Sequence, residues 1–202
     1  MGTRLLYRYR THAWCSKTHR MGAPYRVRLF VRFWNFRAQA CDDRGQEQMN
    51  IVLVEPEIPP NTGNVARLCA ATRTTLHLIE PFGFKLDDAS LKRAGMDYWQ
   101  HVAWHRWANW REFEAKIPAG AKLWFVESDG PKLYSEVAFG QDDYIVFGRE
   151  TAGLPKQLLE QNHERWLRIP MFNPEARSLN LSNRVALVLF EALRQNGFSG
   201  GR

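Results

Sequence analysis

The chain has 202 residues, enough for one substantial domain with an appendage, and 45% of them are apolar, as in an ordinary globular protein. Its net charge of +7 resides in residues 1–48, where ten basic groups face three acids; residues 49–202 are neutral, so total charge supports no nucleic-acid argument. Three widely spaced cysteines without C-x-x-C argue against a disulfide framework or zinc site, and no apolar run reaches membrane-span length, so a reducing cytoplasm is the expected compartment.

The first segment, residues 1–48, is a basic leader. Around residues 26–37 arginines alternate with Val, Leu and Phe, a pattern that fits a short basic strand. Three readings fit the leader as a whole. It is an RNA-binding arm of arginines and aromatics, an Arg-rich transit peptide, or upstream sequence ahead of a true start at Met49. The regular folding pattern begins abruptly at Met49.

From there, apolar runs predict strands at 50–55, 75–80, 122–127, 143–147 and 166–170, with a weaker one near 101–105. Helices are expected at 63–73, 87–98, 108–116, 154–162 and 180–195. The alternation predicts an α/β domain with a mostly parallel sheet over residues 49–202. In the last helix Leu181, Val185, Val188, Leu189, Ala192 and Leu193 form a broad apolar stripe that needs the sheet or another subunit against it.

Three loops carry polar chemistry at the ends of strands, where open α/β sheets hold their ligands. The first is Pro59-Pro60-Asn61-Thr62-Gly63-Asn64-Val65-Ala66-Arg67. It has neither the spacing of G-x-G-x-x-G nor a Gly-Lys-Ser/Thr. Its carboxamides and guanidinium suit hydrogen bonding and charge stabilisation of a polar, anionic substrate. The second, Gly148-Arg149-Glu150-Thr151-Ala152-Gly153-Leu154-Pro155, has two glycines that admit a ligand close to the backbone. The third, residues 171–183, brings Ser178, Asn180 and Ser182 to the start of the last helix. Each also has a purely structural reading. Asn61, Ser178 and Asn180 are natural turn and capping residues, Glu150 suits the first turn of a helix, and Arg67 reads as a surface charge. The one close histidine pair, His101 and His105, is too far apart on a strand to hold a metal, and no metal is expected.

Taken together and in order, EPEIPPNTGNVARLC, FGRETAGLP and IPM…ARSLNLSNRVALVLFEA resemble the three motifs of the SPOUT superfamily of RNA methyltransferases. Within it the chain resembles the TrmH class of ribose 2′-O-methyltransferases, and most nearly the small, single-domain TrmL (YibK-like) type that acts on the wobble nucleotide. The likeness covers residues 49–198. It implies a Rossmann-like sheet with a C-terminal deep trefoil knot, S-adenosylmethionine as cofactor, and a homodimer built through the knot and the last helix. The implied substrate is the anticodon stem-loop of tRNA, with tRNA-Leu isoacceptors the expected ones. The resemblance assigns catalysis to Asn61, Arg67, Glu150, Ser178 and Asn180, and cofactor contacts to Val126, Gly148, Ile169, Ser178 and Leu179. A guanidinium is a poor proton acceptor, so Arg67 is expected to clamp phosphate and hydroxyl rather than act as a base. Alternatives are a related 2′-O-methyltransferase acting on rRNA or another tRNA position, and a non-catalytic RNA-binding factor. A nicotinamide or nucleotide enzyme is disfavoured by the missing glycine fingerprint.

Overall fold

Short apolar segments, buried at nearly every position in the central strands, produce the sheet. A computed structural model describes residues 48–85 and 99–201. The leader and the helix expected at 87–98 lie outside those residues. Seven strands, β1 (Asn50–Val54), β2 (Thr75–Ile79), β3 (Trp104–Trp107), β4 (Leu123–Glu127), β5 (Lys132–Leu133), β6 (Tyr144–Phe147) and β7 (Trp166–Arg168), form one sheet in the order β3-β2-β1-β6-β4-β7-β5. Every pairing between them is parallel. Among the described residues four α-helices accompany it: α1 (Pro59–Thr72), α2 (Trp110–Glu114), α3 (Lys156–Gln161) and α4 (Leu181–Gln195). No helix among the described residues is long and apolar enough to cross a membrane.

Both faces of the sheet are covered, as a parallel sheet requires. On one face Ile51, Leu53, Leu76, Leu78, Ile145 and Phe147 pack with Val65 and Cys69 of α1 and with Val185, Val188, Leu189 and Ala192 of α4. On the other, Val52, Val54, Ile79, Phe125 and Val146 meet Phe113 of α2 and Leu158 and Leu159 of α3. The period of two in each strand thus sorts side chains into two cores. The apolar stripe expected on α4 finds the sheet as its partner, but Leu187 and Phe190 on the same helix stay 43% and 48% exposed.

One polar exception lies in the second core. His77 is buried on β2, where Trp107 Nε1 donates to its Nδ1 (3.2 Å) and its Nε2 faces Asn50 Oδ1 (3.1 Å). Because the indole only donates, Nδ1 is the acceptor and Nε2 carries the proton. Burial, with the neighbouring His105, pushes the pKa of His77 down to about 3 and keeps the ring neutral.

Several boundaries differ from expectation for identifiable reasons. Helix α1 begins at Pro59, not residue 63. The two prolines occupy its first turn, where the missing N–H groups have no intrahelical acceptor to lose. The weak strand near 101–105 is displaced to Trp104–Trp107, and His101 instead ends a 3₁₀ turn, Trp99–His101, so the histidine pair does not share a strand. Two-residue β5 escaped notice because it is too short for alternation to register.

Candidate active site

The C-terminal ends of β1, β6 and β7 lead into the three motif loops, and β4 ends beside them. There a chain of hydrogen bonds joins all three motifs. Asn180 Nδ2 donates to Asn61 Oδ1 (2.9 Å), and Asn61 Nδ2 donates to Glu150 Oε1 (3.0 Å). The Glu150 carboxylate also accepts the backbone N–H groups of Glu57 (2.9 Å) and Ile58 (3.2 Å). At the other end, Asn180 is the N-cap of α4, its Oδ1 accepting from Ser182 N (2.9 Å) and Ser182 Oγ (2.7 Å).

The polarity of this chain follows from its ends. An ionised carboxylate only accepts, so Asn61 must turn its NH₂ toward Glu150 and its carbonyl oxygen toward Asn180. The backbone N–H of Ser182 only donates, so Asn180 must present its oxygen there and its NH₂ to Asn61. Asn61 is buried, and both ends of its carboxamide are satisfied. A reciprocal contact locks the first two loops: Thr151 N and Oγ1 donate to Glu57 Oε2 at 3.1 and 2.7 Å. Arg149 pairs with Glu55 in the same place. Glu150 therefore sits in no first helical turn of its own. It reaches across from the β6–α3 loop to the N-terminus of α1, where a negative charge is favoured.

A second, deeper cluster lies beside this chain. Arg184 is buried on α4 and its Nη2 donates to the Val126 carbonyl (2.5 Å) and approaches Glu127 Oε2 (3.4 Å). Leu154 N donates to Glu127 Oε1 (2.7 Å). Burial raises the pKa of Glu127, while Arg184 and the Leu154 N–H oppose that rise. The β6–α3 loop is pressed close here. A Cβ on Gly153 would come within 2.8 Å of Glu127 Oε1, and one on Gly148 within 2.2 Å of the Gly153 carbonyl carbon. Gly153 also has φ +67°, in the left-handed region.

Two adjoining cavities result. The larger, of about 230 Å³, is lined by Asn61, Glu150, Ser178 and Asn180, with Ile58, Leu179, Leu181 and Arg184. The smaller is lined by Ile169, Ser178 and Leu179, with Glu127, Ser128, Met171 and Arg184. Four of the five residues expected in catalysis thus converge on one cavity. Arg67 does not: it is exposed on α1, about 1.7 turns beyond Asn61, and lines neither cavity. Of the residues expected at the cofactor, Ile169, Ser178 and Leu179 share the smaller cavity. Val126 touches its lining only through Arg184, and Gly148 does not line it. The lining suits an adenosine-type cofactor in its chemistry, with aliphatic groups from Ile169 and Leu179 and a hydroxyl from Ser178, while the smaller cavity itself measures about 10 Å³, room for one water.

Sequence reasoning missed Glu127 and Arg184. A signal was present for each. Glu127 ends a strand at the ligand edge of the sheet, and Arg184 interrupts the apolar stripe one turn after Leu181. A charge on a buried stripe must find a partner.

Comparison with known proteins shows the family of the chain. The profile of the SpoU rRNA Methylase family matches residues 48–190. The chain belongs to this family. A relative from Saccharophagus degradans, a tRNA (cytidine(34)-2′-O)-methyltransferase, is 53% identical over 156 residues, spanning 76% of this chain and 99% of the relative. Another of the same name, from Burkholderia cenocepacia, is 52% identical over 154 residues, with 75% and 98% covered. A solved structure described as giving insight into 2-OH methylation of C/U34 on tRNA is 42% identical, with a TM-score of 0.71 and coverage of 76% and 99%. The AviRb methyltransferase from Streptomyces viridochromogenes, solved with AdoMet, is 22% identical. It shares the fold at a TM-score of 0.63, with 76% of this chain and 62% of that one covered. The protein is therefore a SpoU-type methyltransferase with the SPOUT fold.

Proposed function

We propose that this SpoU-type enzyme methylates the ribose 2′-hydroxyl of the wobble nucleotide, cytidine or uridine at position 34, in tRNA, using S-adenosylmethionine. The observation that carries the reading is the Asn180–Asn61–Glu150 chain, which brings three separate motifs to one cavity beside a second one lined by Ile169 and Leu179. The likeness to C34-specific relatives at 52–53% identity supports the choice of nucleotide.

When bound, the cofactor supplies a methyl group already activated by a sulfonium. The remaining task is to orient and polarise a ribose hydroxyl, which is work for fixed hydrogen-bonding groups. Asn180 has a second N–H beyond the one given to Asn61, and Ser178 offers a hydroxyl to the same cavity. Glu150 holds Asn61 and the start of α1 in register. In this reading Arg67 engages phosphate at the surface rather than the hydroxyl proton itself. Ile169, Ser178 and Leu179 flank the adenosine, backed by Val126 and Gly148. The enzyme acts as a homodimer through the exposed apolar positions of α4, with the C-terminal segment knotted as in its class, and tRNA-Leu isoacceptors are its substrates.

The test is methylation of total tRNA with labelled cofactor, followed by mass-spectrometric mapping. A 2′-O-methyl group at position 34 is expected. Asn61→Ala, which removes the group that orients Asn180, should lower turnover about 100-fold, on the order of a misplaced hydroxyl-orienting group. Arg67→Lys should lose most activity while cofactor affinity by calorimetry stays unchanged. Label on a base, or near-normal turnover of Asn61→Ala, would defeat the reading.

A further inference from the structure

Phe172 is 95% exposed, whereas the other exposed large apolar side chains among the described residues lie between 42% and 49%. A phenyl ring in that position adds nothing to the core and leaves nearly all of its apolar area in water, which is unfavourable relative to burial. The ring does not sit on an ordinary surface loop. Its neighbour Met171 lines the smaller cavity, and Ser178 and Leu179, at the far end of the same loop, line both. Between them the backbone is constrained. Pro170 and Pro174 bracket the ring, and Asn173 closes a turn, its Oδ1 accepting from Glu175 N (3.0 Å) and its carbonyl from Ala176 N (3.1 Å). Arg177 is exposed on the same loop, five positions further along the chain.

An exposed aromatic on a loop that also carries an exposed arginine, and whose two ends line a site that handles a ribose, matches how proteins hold unpaired nucleotides. Bases stack on the ring while the guanidinium meets the phosphate. Two other occupants fit less well. The cofactor's apolar contacts are already supplied by Ile169 and Leu179, and a second copy of the chain has Leu187 and Phe190 on α4. We propose that Phe172 is a stacking platform for the base of an unpaired nucleotide at or beside the methylated ribose, which makes it a substrate-positioning and specificity residue. The proposal rests on the reading of the site as an RNA ribose methyltransferase.

The experiment uses the full chain and an anticodon stem-loop RNA. 2-Aminopurine is placed in turn at the target nucleotide and at each neighbour. Stacking on Phe172 should quench its fluorescence at one of these positions in the parent protein and in Phe172→Trp, and the quench should be lost in Phe172→Leu and Phe172→Ala. KM for tRNA should rise about 10-fold or more in the Leu and Ala variants and be restored by Trp. Affinity for S-adenosylmethionine by calorimetry and mass by light scattering should not move. An unchanged quench and KM in Phe172→Ala would overturn the proposal. So would a loss of cofactor affinity, which assigns the ring to the cofactor, or a change in mass, which assigns it to an interface. If the parent protein binds the stem-loop but methylates no ribose, the functional reading fails while the quench still decides the role of Phe172.

Discussion

At Arg184 a guanidinium is held inside the protein by two oxygens, the Val126 carbonyl and the Glu127 carboxylate, which is itself fixed by the Leu154 N–H. Removing one member of such a pair leaves a buried charge with no counterpart, which costs more than the pair contributes. Arg184→Ala is therefore expected to lower stability by about 3–5 kcal/mol, measured by urea unfolding. The apolar pair E127L/R184M should recover most of that loss while weakening cofactor binding. Full stability in Arg184→Ala would mean that Glu127 finds another partner. At this scale the polar motif residues were legible. Asn61, Glu150, Ser178 and Asn180 are chemically distinctive in loops, and their order along the chain is a pattern. The capping and site roles of Asn180 also proved to be one arrangement, because its oxygen caps α4 while its nitrogen holds Asn61. Glu127 and Arg184 were not legible, since they are 57 residues apart and nothing local marks them as partners.

The β6–α3 loop shows the same logic over an element. Its two glycines are needed for different reasons. Gly153 adopts a left-handed conformation, whereas Gly148 lies so close to the backbone of Gly153 and Leu154 that a single methyl group has no room. The atoms it would meet belong to main chain and cannot swing aside. Gly148→Ala should consequently displace the loop that carries Glu150, with a loss of cofactor affinity of at least about 10-fold by calorimetry and a cost to stability of about 1–3 kcal/mol. Retained affinity would show that the loop relaxes without consequence. Every strand of the sheet except β5 followed from apolar runs in the sequence, and most boundaries differ from expectation by one or two residues. Helix α1 is the instructive miss. Its prolines looked like the end of a loop but form the first turn, because a proline's missing N–H costs nothing there. That shift places Asn61 on a helix anchored by Glu150, rather than in a loose turn.

Across the whole molecule, α4 has two faces with different fates. One is buried on the sheet, and the other presents Leu187 and Phe190 three residues apart. Under the homodimer reading, replacing both by Glu should convert a dimer of about twice the chain mass into monomer by light scattering, with methylation falling in parallel. A parent protein that is monomeric at micromolar concentration would remove that reading. The sequence by itself determined the fold class, the motif loops and the polar residues that converge on the larger cavity. All of these depend on residue type and short-range spacing, which a linear pattern records. Only the tertiary structure decided that Asn61, Glu150 and Asn180 form one directional chain, that Arg67 is exposed on α1 and lines neither cavity, and that Glu127 and Arg184 form a buried ion pair. Those facts depend on the sheet order, which inserts β6 between β1 and β4 and brings residues about 90 to 120 positions apart into hydrogen-bonding distance.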